Sequence, residues 1–256
     1  MADPADMLSF VGVTKRFGAV TAVDDVSLSV PRGQFVALVG ESGSGKSTLL
    51  RTVNRLVEPD AGHVAIEGAD VLAGPAPALR RRIGYVFQSI GLFPHMDVAA
   101  NIGIGARLAG EPMRRERVHE LLELVGLERE HALRMPSELS GGQRQRVGVA
   151  RALAVQPELL LMDEPFGALD PVTRDALGNR VRDLHRELGL TTVMVTHDMA
   201  EALLLADRVL VMDAGRVVAD ETPRALLKGA GGAEAQQLVA VPRAQADAIE
   251  AMAGDA

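Results

Sequence analysis

The stretch Phe35–Ser47 of the 256-residue sequence reads FVALVGESGSGKS, and it decides the fold class. Its first part, Phe35–Val39, is an uninterrupted apolar run of the kind that forms a buried parallel strand. The second part, Gly40–Ser47, fits the pattern G-x-x-x-x-G-K-[ST], and a helix-like apolar stretch with Leu49 and Leu50 follows it. A strand, a glycine-rich loop and a helix in this order are the context in which the pattern binds phosphate. The stretch therefore predicts an α/β domain.

The glycine-rich loop offers several groups to a chain of phosphates. Its glycines let successive backbone N–H groups point at phosphate oxygens, and the start of the following helix adds a favourable dipole. Lys46 supplies a catalytic point charge for the β- and γ-phosphates, and the Ser47 hydroxyl is a ligand for Mg²⁺. The structural alternative is a glycine-rich turn that precedes a helix and binds nothing. Chance matches to this pattern are rare, which favours phosphate binding. The predicted nucleotide-binding residues here are Gly40, Glu41, Ser42, Gly43, Ser44, Gly45, Lys46, Ser47 and Thr48.

A second apolar run, in LLLMDE, ends in the two carboxylates Asp163 and Glu164. Asp163, at the end of the strand, is placed to hold Mg²⁺ directly or through water. Glu164 lies one residue further on and is placed to accept a proton from an attacking water. The alternative is a helix cap after a strand, which is common. The phosphate-binding loop upstream favours the catalytic interpretation.

The rest of the chain predicts a P-loop NTPase core of the α/β class with a mostly parallel sheet. Leu159–Met162 and Val193–Thr196 are further buried parallel strands. The first 30 residues and Val64–Ile66 indicate shorter strands that form an antiparallel β subdomain. An α-helical subdomain is inserted at about 91–153, where Arg114–Leu127 has apolar residues at helical spacing. The tail after Leu227 is predicted to be a marginally ordered, weakly helical extension.

Composition excludes several other classes of protein. The net charge of −7, with one tyrosine and no tryptophan, gives neither the basic face nor the aromatic platforms of a nucleic-acid binder. Cysteine is absent, which excludes disulfides and thiolate metal sites. The N-terminal residues MADPADMLSF lack the pattern of a secretory signal, and no apolar run is long enough to span a bilayer. We therefore expect a cytoplasmic protein.

A second anion-binding surface is indicated by LSGGQ at Leu139–Gln143, which we call the signature segment. It precedes RQRVGVARAL, a good helix pattern, so its small residues again form the start of a helix. The alternative is a turn that only caps the helix. A nucleotide-binding fold needs one phosphate-binding surface, so a second one calls for a separate explanation. In combination with the motifs above, this segment resembles the ATP-binding-cassette (ABC) transporter ATPases. The resemblance covers roughly residues 8–228. Residues 1–228 are expected to form the ATPase domain, with a short extension over 229–256.

The resemblance implies that two subunits dimerise head to tail and sandwich each ATP between the phosphate-binding loop of one and the signature segment of the other. Gln88, in GYVFQ, matches the Q-loop residue that senses Mg²⁺ and nucleotide, and His197 matches the switch histidine at the γ-phosphate. The resemblance implies that both are catalytic and that Gln88 is also a Mg²⁺ ligand. Phe17 matches the aromatic residue that stacks on adenine, although tyrosine is more usual there. The residues expected from the partner subunit are Ser140, Gly141, Gly142 and Gln143 of the signature segment and Asp170 of the D-loop.

A finer resemblance lies in Gly84–Leu108, where IGLFPHM and NIGIGARL are similar to the ATPases of quaternary-amine osmoprotectant importers for glycine betaine, choline or carnitine. Importers of sulfonates, nitrate or methionine share much of this pattern, and a soluble, non-transport cassette ATPase is a further alternative. The resemblance implies a pair of ATPase subunits at the cytoplasmic face of the membrane, integral permease subunits and an extracytoplasmic solute-binding protein. No CBS domains are expected after residue 228.

The remaining histidines have no assigned chemistry. We expect the five of them to lie on surfaces or in loops: His63, His95, His119, His131 and His185.

Overall fold

The computed structural model describes residues 6–254. Residues 1–5, which form half of the stretch used to exclude a secretory signal, lie outside the described residues. So do residues 255–256, the end of the predicted extension. Within 6–254, no helix is long and apolar enough to cross a membrane.

A six-stranded sheet forms the centre of the molecule, in the order β10-β9-β3-β8-β7-β6. Neighbours from β9 to β6 are parallel, and β10 pairs antiparallel with β9 at the edge. The predicted mostly parallel sheet is therefore confirmed. Its strands are β3 (Phe35–Val39), β6 (Ile83–Val86), β7 (Leu159–Asp163), β8 (Thr191–Val195), β9 (Arg208–Asp213) and β10 (Arg216–Glu221).

A second, four-stranded antiparallel sheet has the order β2-β1-β4-β5. It confirms the antiparallel part of the fold, but its first two strands have 12 residues each, longer than the short strands predicted from the sequence. Irregularities in the β1–β2 register accommodate that length. The strands are β1 (Asp6–Phe17), β2 (Val20–Pro31), β4 (Ala61–Ile66) and β5 (Ala69–Asp70).

Between β6 and β7 the chain is helical. The predicted helix over Arg114–Leu127 is shorter in the structure, because Gly126 takes a left-handed conformation (φ 69°) that ends it. The elements are α3 (Val98–Ile102), α4 (Ile104–Leu108), α5 (Arg115–Leu124), two 3₁₀ turns (Arg129–Leu133 and Pro136–Glu138) and α6 (Gly141–Leu153).

The other helices flank the two sheets. Asp170 caps α7 by accepting a hydrogen bond from the N–H of Thr173 (3.0 Å), and Gly189 ends it in a left-handed conformation. These helices are α1 (Lys46–Val53), α2 (Ala76–Arg80), α7 (Pro171–Leu188), α8 (Met199–Leu205), α9 (Pro223–Leu227) and α10 (Gly232–Gly254).

The central sheet separates two hydrophobic cores, and alternate residues of β3 point into each. Val36 and Leu38 pack with α1 and the antiparallel sheet, whereas Phe35, Ala37 and Val39 pack with the helices on the other face. Burial of both faces explains why the strand is apolar throughout. The packing fixes β3, and with it the phosphate-binding loop at its end.

The segment after Leu227 is more ordered and more buried than the sequence predicts. Helix α10 contacts α8, α9, β9 and β10, and its residues Ala235 and Val239 are fully buried. The prediction of a marginally ordered extension is wrong for this part of the tail. Its few apolar side chains pack at one edge of the core that contains Phe35, which we call the main core.

Candidate functional site

Four neighbouring parallel strands bring the predicted site residues to one edge of the central sheet. The phosphate-binding loop follows β3, His197 follows β8, Asp163 and Glu164 end β7, and Gln88 follows β6. These strands lie in the order β3-β8-β7-β6, so their carboxyl ends face the same way. The carboxyl edge of such a sheet is where open α/β folds place their ligands.

Two of the three loop glycines, Gly40 and Gly45, are required by close backbone contacts. Gly40 has φ 147°, and a Cβ atom there would lie 2.1 Å from the carbonyl oxygen of Met212. Gly45 has φ 101°, and a Cβ atom would lie 2.1 Å from the carbonyl oxygen of Ala22. Any other residue at either position would force the loop away from these neighbours.

Lys46 lies folded into the loop and is only 5% exposed. Its Nζ donates to the carbonyl oxygens of Gly40 (2.8 Å) and Glu41 (2.7 Å) and to the hydroxyl of Ser44 (3.2 Å). Burial lowers the pKa of Lys46, while the charges of Glu164 and Asp163 oppose that shift. The ammonium group is therefore held by oxygen acceptors within the pocket that a phosphate would enter.

Asp163 is 1% exposed and makes contacts with three side chains. The Ser47 hydroxyl donates to its Oδ1 at 2.6 Å, and Arg51 Nη2 donates to its Oδ2 at 2.9 Å. The Tyr85 hydroxyl donates to Oδ2 at 3.3 Å, and burial together with the charge of Asp163 raises the pKa of Tyr85. A buried carboxylate requires such partners.

The oxygens of Ser47 and Asp163 fit a magnesium ion, because they converge and Mg²⁺ prefers a carboxylate and hydroxyl oxygens together with phosphates. Among residues 6–254, no cluster of three or more histidine or acidic side chains could hold a metal ion. The third predicted ligand, Gln88, is not hydrogen-bonded to this pair; its amide nitrogen donates to Glu164 instead.

Glu164 lies next to two of the predicted catalytic side chains. Its Oε2 accepts a hydrogen bond from Gln88 Nε2 (2.9 Å) and lies 3.5 Å from Nδ1 of His197. Its backbone has φ 47°, which is uncommon for a non-glycine residue, and its N–H donates to the carbonyl oxygen of Val195 at 2.9 Å. The turn after β7 thus aims the carboxylate toward Gln88 and His197.

The signature segment is built as a capped helix start. The Ser140 hydroxyl oxygen accepts from the N–H of Gln143 (3.2 Å), and Gln143 Oε1 accepts from the N–H of Ser140 (2.9 Å). Gly142 packs against the start of α7, where a Cβ atom would lie 2.6 Å from Cγ2 of Thr173. Hydrogen bonds donated by Thr173 lower the pKa of Asp170. The signature segment makes no hydrogen bond to the phosphate-binding loop among the described residues.

Phe17 lies at the end of β1, and 52% of its surface is exposed. Lys15 Nζ lies 5.4 Å from the centre of the ring and is also paired with Asp60 (2.9 Å). The exposed ring is available for stacking on a base, as the sequence predicts.

Comparison with known proteins shows the family to which the chain belongs. The model of the family described as "ABC transporter" matches residues 23–167, which are 145 of the 256 residues. The chain belongs to the ABC transporter family. The resemblance seen in the motifs is therefore confirmed, and so is the predicted P-loop NTPase fold.

Curated relatives in this family include the glycine betaine uptake ATP-binding protein YehX of Escherichia coli, 52% identical over 86% of this chain and 72% of that protein. The choline transport protein OpuBA of Bacillus subtilis and the carnitine transport protein OpuCA of Listeria monocytogenes are each 48% identical over 87% of this chain. The chain spans 59% and 57% of the length of the last two.

Solved ABC structures have the same fold. The dimeric ABC transporter cassette MJ0796 has a TM-score of 0.78 and 34% identity, with 85% of this chain and 99% of that chain covered. The dimer of MJ0796 bound to ADP and phosphate after hydrolysis has a TM-score of 0.77 at the same identity.

The predicted position on a surface or in a loop is wrong for two histidines. His131 and His185 are buried, at 5% and 4% exposure, rather than on the surface. Each has a polar partner at a ring nitrogen, for example Thr192 Oγ1 at 3.0 Å from Nδ1 of His185. His131 and Gln143 are 12 residues apart in the sequence, and this spacing does not predict the contact between their side chains.

Two residues of this ABC site were missed from the sequence, Arg51 and Tyr85. Arg51 lies one helical turn after Ser47 in α1, so the spacing i, i+4 could have placed both on the face toward Asp163. Tyr85 alternates with buried neighbours in β6, and nothing in the sequence shows that its hydroxyl faces a carboxylate.

Proposed function

We propose that this chain binds and hydrolyses ATP to drive an importer for quaternary-amine osmoprotectants. The observation that carries the ATPase assignment is the convergence of the phosphate-binding loop, Asp163, Glu164, Gln88 and His197 at one edge of the sheet. A structure that only binds nucleotide has no need of a carboxylate held beside a glutamine and a histidine.

Each side chain has a chemical task at this edge. Lys46 neutralises phosphate charge, and Glu164 accepts the proton of the attacking water while Gln88 and His197 hold its Oε2 in position. Ser47 and Asp163 would hold Mg²⁺, which supplies charge neutralisation when it is bound with ATP. Hydrolysis then requires no covalent intermediate on the protein.

Two copies are proposed to form two shared ATP sites. In each site the signature segment of one subunit faces the phosphates bound by the other. The capped Ser140 supports this role, because its hydroxyl oxygen already accepts from Gln143 and its hydrogen remains for an anion. The likeness to the dimeric cassette MJ0796 supports the same arrangement.

Quaternary amines are the proposed cargo for two reasons that agree. The segments IGLFPHM and NIGIGARL resemble osmoprotectant importers, and three relatives are named for glycine betaine, choline and carnitine. A second candidate is import of an inorganic solute. It is favoured by 51% identity with the Fe(3+) import protein FbpC of Pseudomonas fluorescens and 50% with the sulfate/thiosulfate import protein CysA of Burkholderia mallei.

The proposed partners are integral permease subunits, docked through Gln88 and the helical segment 91–153, and an extracytoplasmic solute-binding protein. The proposed location is the cytoplasmic face of the membrane, where the chain would be held by the permease. The acidic net charge of −7 gives no support for nucleic acid as a partner.

Reconstitution tests the cargo directly. The chain would be co-expressed with the permease and binding protein of its own transport system, in a host that lacks osmoprotectant importers. We expect ATP-dependent uptake of labelled glycine betaine, choline or carnitine, and none with Glu164→Gln. Uptake of iron(III) or sulfate instead would support the second candidate. Normal ATPase activity without uptake of any quaternary amine would contradict the cargo while leaving the ATPase assignment intact.

A further inference from the structure

A buried histidine lies behind the signature segment and has no role in the chemistry described above. His131 belongs to the first 3₁₀ turn, and its ring contacts two different groups. Nδ1 lies 3.1 Å from the carbonyl oxygen of Glu128, and Nε2 lies 3.1 Å from the side-chain nitrogen of Gln143. These two contacts determine where the ring carries its hydrogen.

A carbonyl oxygen only accepts hydrogen bonds, so Nδ1 of His131 must carry the hydrogen. In the neutral imidazole the other nitrogen, Nε2, is then an acceptor. The group that faces Nε2 must therefore donate, and the amide nitrogen of Gln143 is the donor that fits. The backbone of Glu128 thus determines the tautomer of a ring that is almost out of reach of water.

The amide of Gln143 is oriented by the same contact. With its nitrogen toward His131, its oxygen points to the N–H of Ser140, where it accepts a 2.9 Å hydrogen bond. The N–H of Gln143 in turn donates to the Ser140 hydroxyl at 3.2 Å. An inverted amide would place a donor against the N–H of Ser140 and leave that group unpaired.

We propose that His131 is a positioning residue for the signature segment: through Gln143 it keeps the segment preformed before any nucleotide arrives. A preformed segment loses less conformational freedom when it meets a phosphate than one that must be ordered on contact. The effect on ATP-driven closure rests on the shared site proposed above. The effect on the tautomer and on Ser140 is a property of the single subunit.

Two amide variants separate the contacts of the two ring nitrogens. His131→Gln puts an amide oxygen where Nε2 lies and keeps an acceptor for Gln143. His131→Asn keeps a donor where Nδ1 lies, toward Glu128, and removes the contact with Gln143. Both variants replace a buried ring with a smaller amide, and asparagine is one methylene shorter than glutamine, so a purely structural role would show as a loss of folding stability that parallels any loss of dimerisation.

Closure is measured as the ATP-dependent dimerisation constant in a Glu164→Gln background, with ATP binding to single subunits measured alongside. We expect His131→Asn to weaken dimerisation about tenfold, the effect of losing one oriented hydrogen bond, with subunit ATP affinity within about twofold of the parent. His131→Gln should restore dimerisation to within about threefold. Equal losses in both variants, or no loss in His131→Asn, would overturn the proposal.

A second measurement is made without nucleotide, and its first readout, the tautomer of His131, needs only the wild-type chain, so it holds even if a variant does not fold or no dimer closes. With ¹⁵N-labelled histidine, the ring of His131 should show a protonated Nδ1 and an unprotonated Nε2. The amide hydrogen of Ser140 should exchange more slowly than in His131→Asn. The opposite tautomer overturns the proposal. A parent protein that never dimerises with ATP, but shows the expected tautomer and exchange, contradicts the shared site instead.

Discussion

Glu164 is the residue on which hydrolysis should depend most. Glu164→Gln keeps the shape of the side chain and its place beside Gln88 and His197, but the amide does not accept the proton of the attacking water. We expect ATP turnover to fall by roughly 10²–10⁴-fold, the usual contribution of a positioned base. ATP binding should survive, because the phosphate-binding loop is unchanged. A steady-state phosphate-release assay with near-wild-type turnover would contradict the assignment.

Lys46 acts on charge rather than on proton transfer. Lys46→Ala removes a cation that the loop holds through Gly40, Glu41 and Ser44. Nucleotide affinity should fall by roughly 10- to 100-fold, the range for a hydrogen bond to a charged group, and turnover should fall with it. Titration with a fluorescent ATP analogue measures the affinity. Normal binding and hydrolysis in this variant would show that the loop does not hold phosphate.

His185 makes folding stability depend on pH. Burial lowers its pKa in the folded protein, so the unfolded chain takes up a proton first as the pH falls below about 6.5. The contribution is therefore present above that pH and lost below it, by at most about 1.4 kcal/mol per pH unit. Urea unfolding at pH 7.5 and pH 5 should show a smaller acid loss in His185→Asn than in the wild type. Equal losses would exclude His185 as a source of the acid sensitivity.

Residues at motif positions were the predictable part of the site, because the chemistry of phosphate fixes both their type and their spacing. The pattern over Gly40–Ser47 predicts the phosphate-binding loop, and the close contacts of Gly40 and Gly45 explain why the loop tolerates only glycine at those two positions. Tyr85 and His131 act through contacts that only the fold creates, whereas Arg51 could have been placed beside Ser47 from its spacing in the helix. A buried histidine in particular is indistinguishable from an exposed one until its partners are known.

At the scale of elements, β8 shows why strand boundaries were harder to predict. The sequence predicted Val193–Thr196, and the structure has Thr191–Val195. Thr191 and Thr192 are fully buried although they are polar, because their hydroxyls bond to Gly33 N–H (2.9 Å) and to His185 (3.0 Å). An apolar pattern does not detect polar residues that are satisfied inside the core.

Helix α10 gives an element-scale prediction, since its burial was missed by the sequence. Val239 is 0% exposed in the main core, whereas Val241, two residues on, is 58% exposed. Val239→Asp should lower the free energy of unfolding by about 3 kcal/mol or more, because it buries an unpaired charge. The matched control Val241→Asp should change it by less than about 0.5 kcal/mol. Similar effects of both substitutions in urea unfolding would show that the tail is not part of the core.

At the scale of the whole molecule, the question is whether each ATP site is made by one chain or by two. Ser140 belongs to the signature segment and bonds within the helical region, so within one chain it need not approach Lys46. Ser140→Arg should place a bulky side chain in the closed interface and leave the loop intact. The variant should bind ATP but neither close nor turn over, with an unchanged thermal midpoint as the control for folding.

Mixing Ser140→Arg with Lys46→Ala tests the shared site directly. If each site takes Lys46 from one chain and Ser140 from the other, a mixed dimer has one site with both defects and one with neither. ATPase activity should then recover, toward half the wild-type rate per mixed dimer if one intact site suffices. If each site lies within one chain, every site keeps a defect and activity stays near zero. Two affinity tags isolate the mixed dimers, and wild-type-like activity of Ser140→Arg alone would reject the shared site outright.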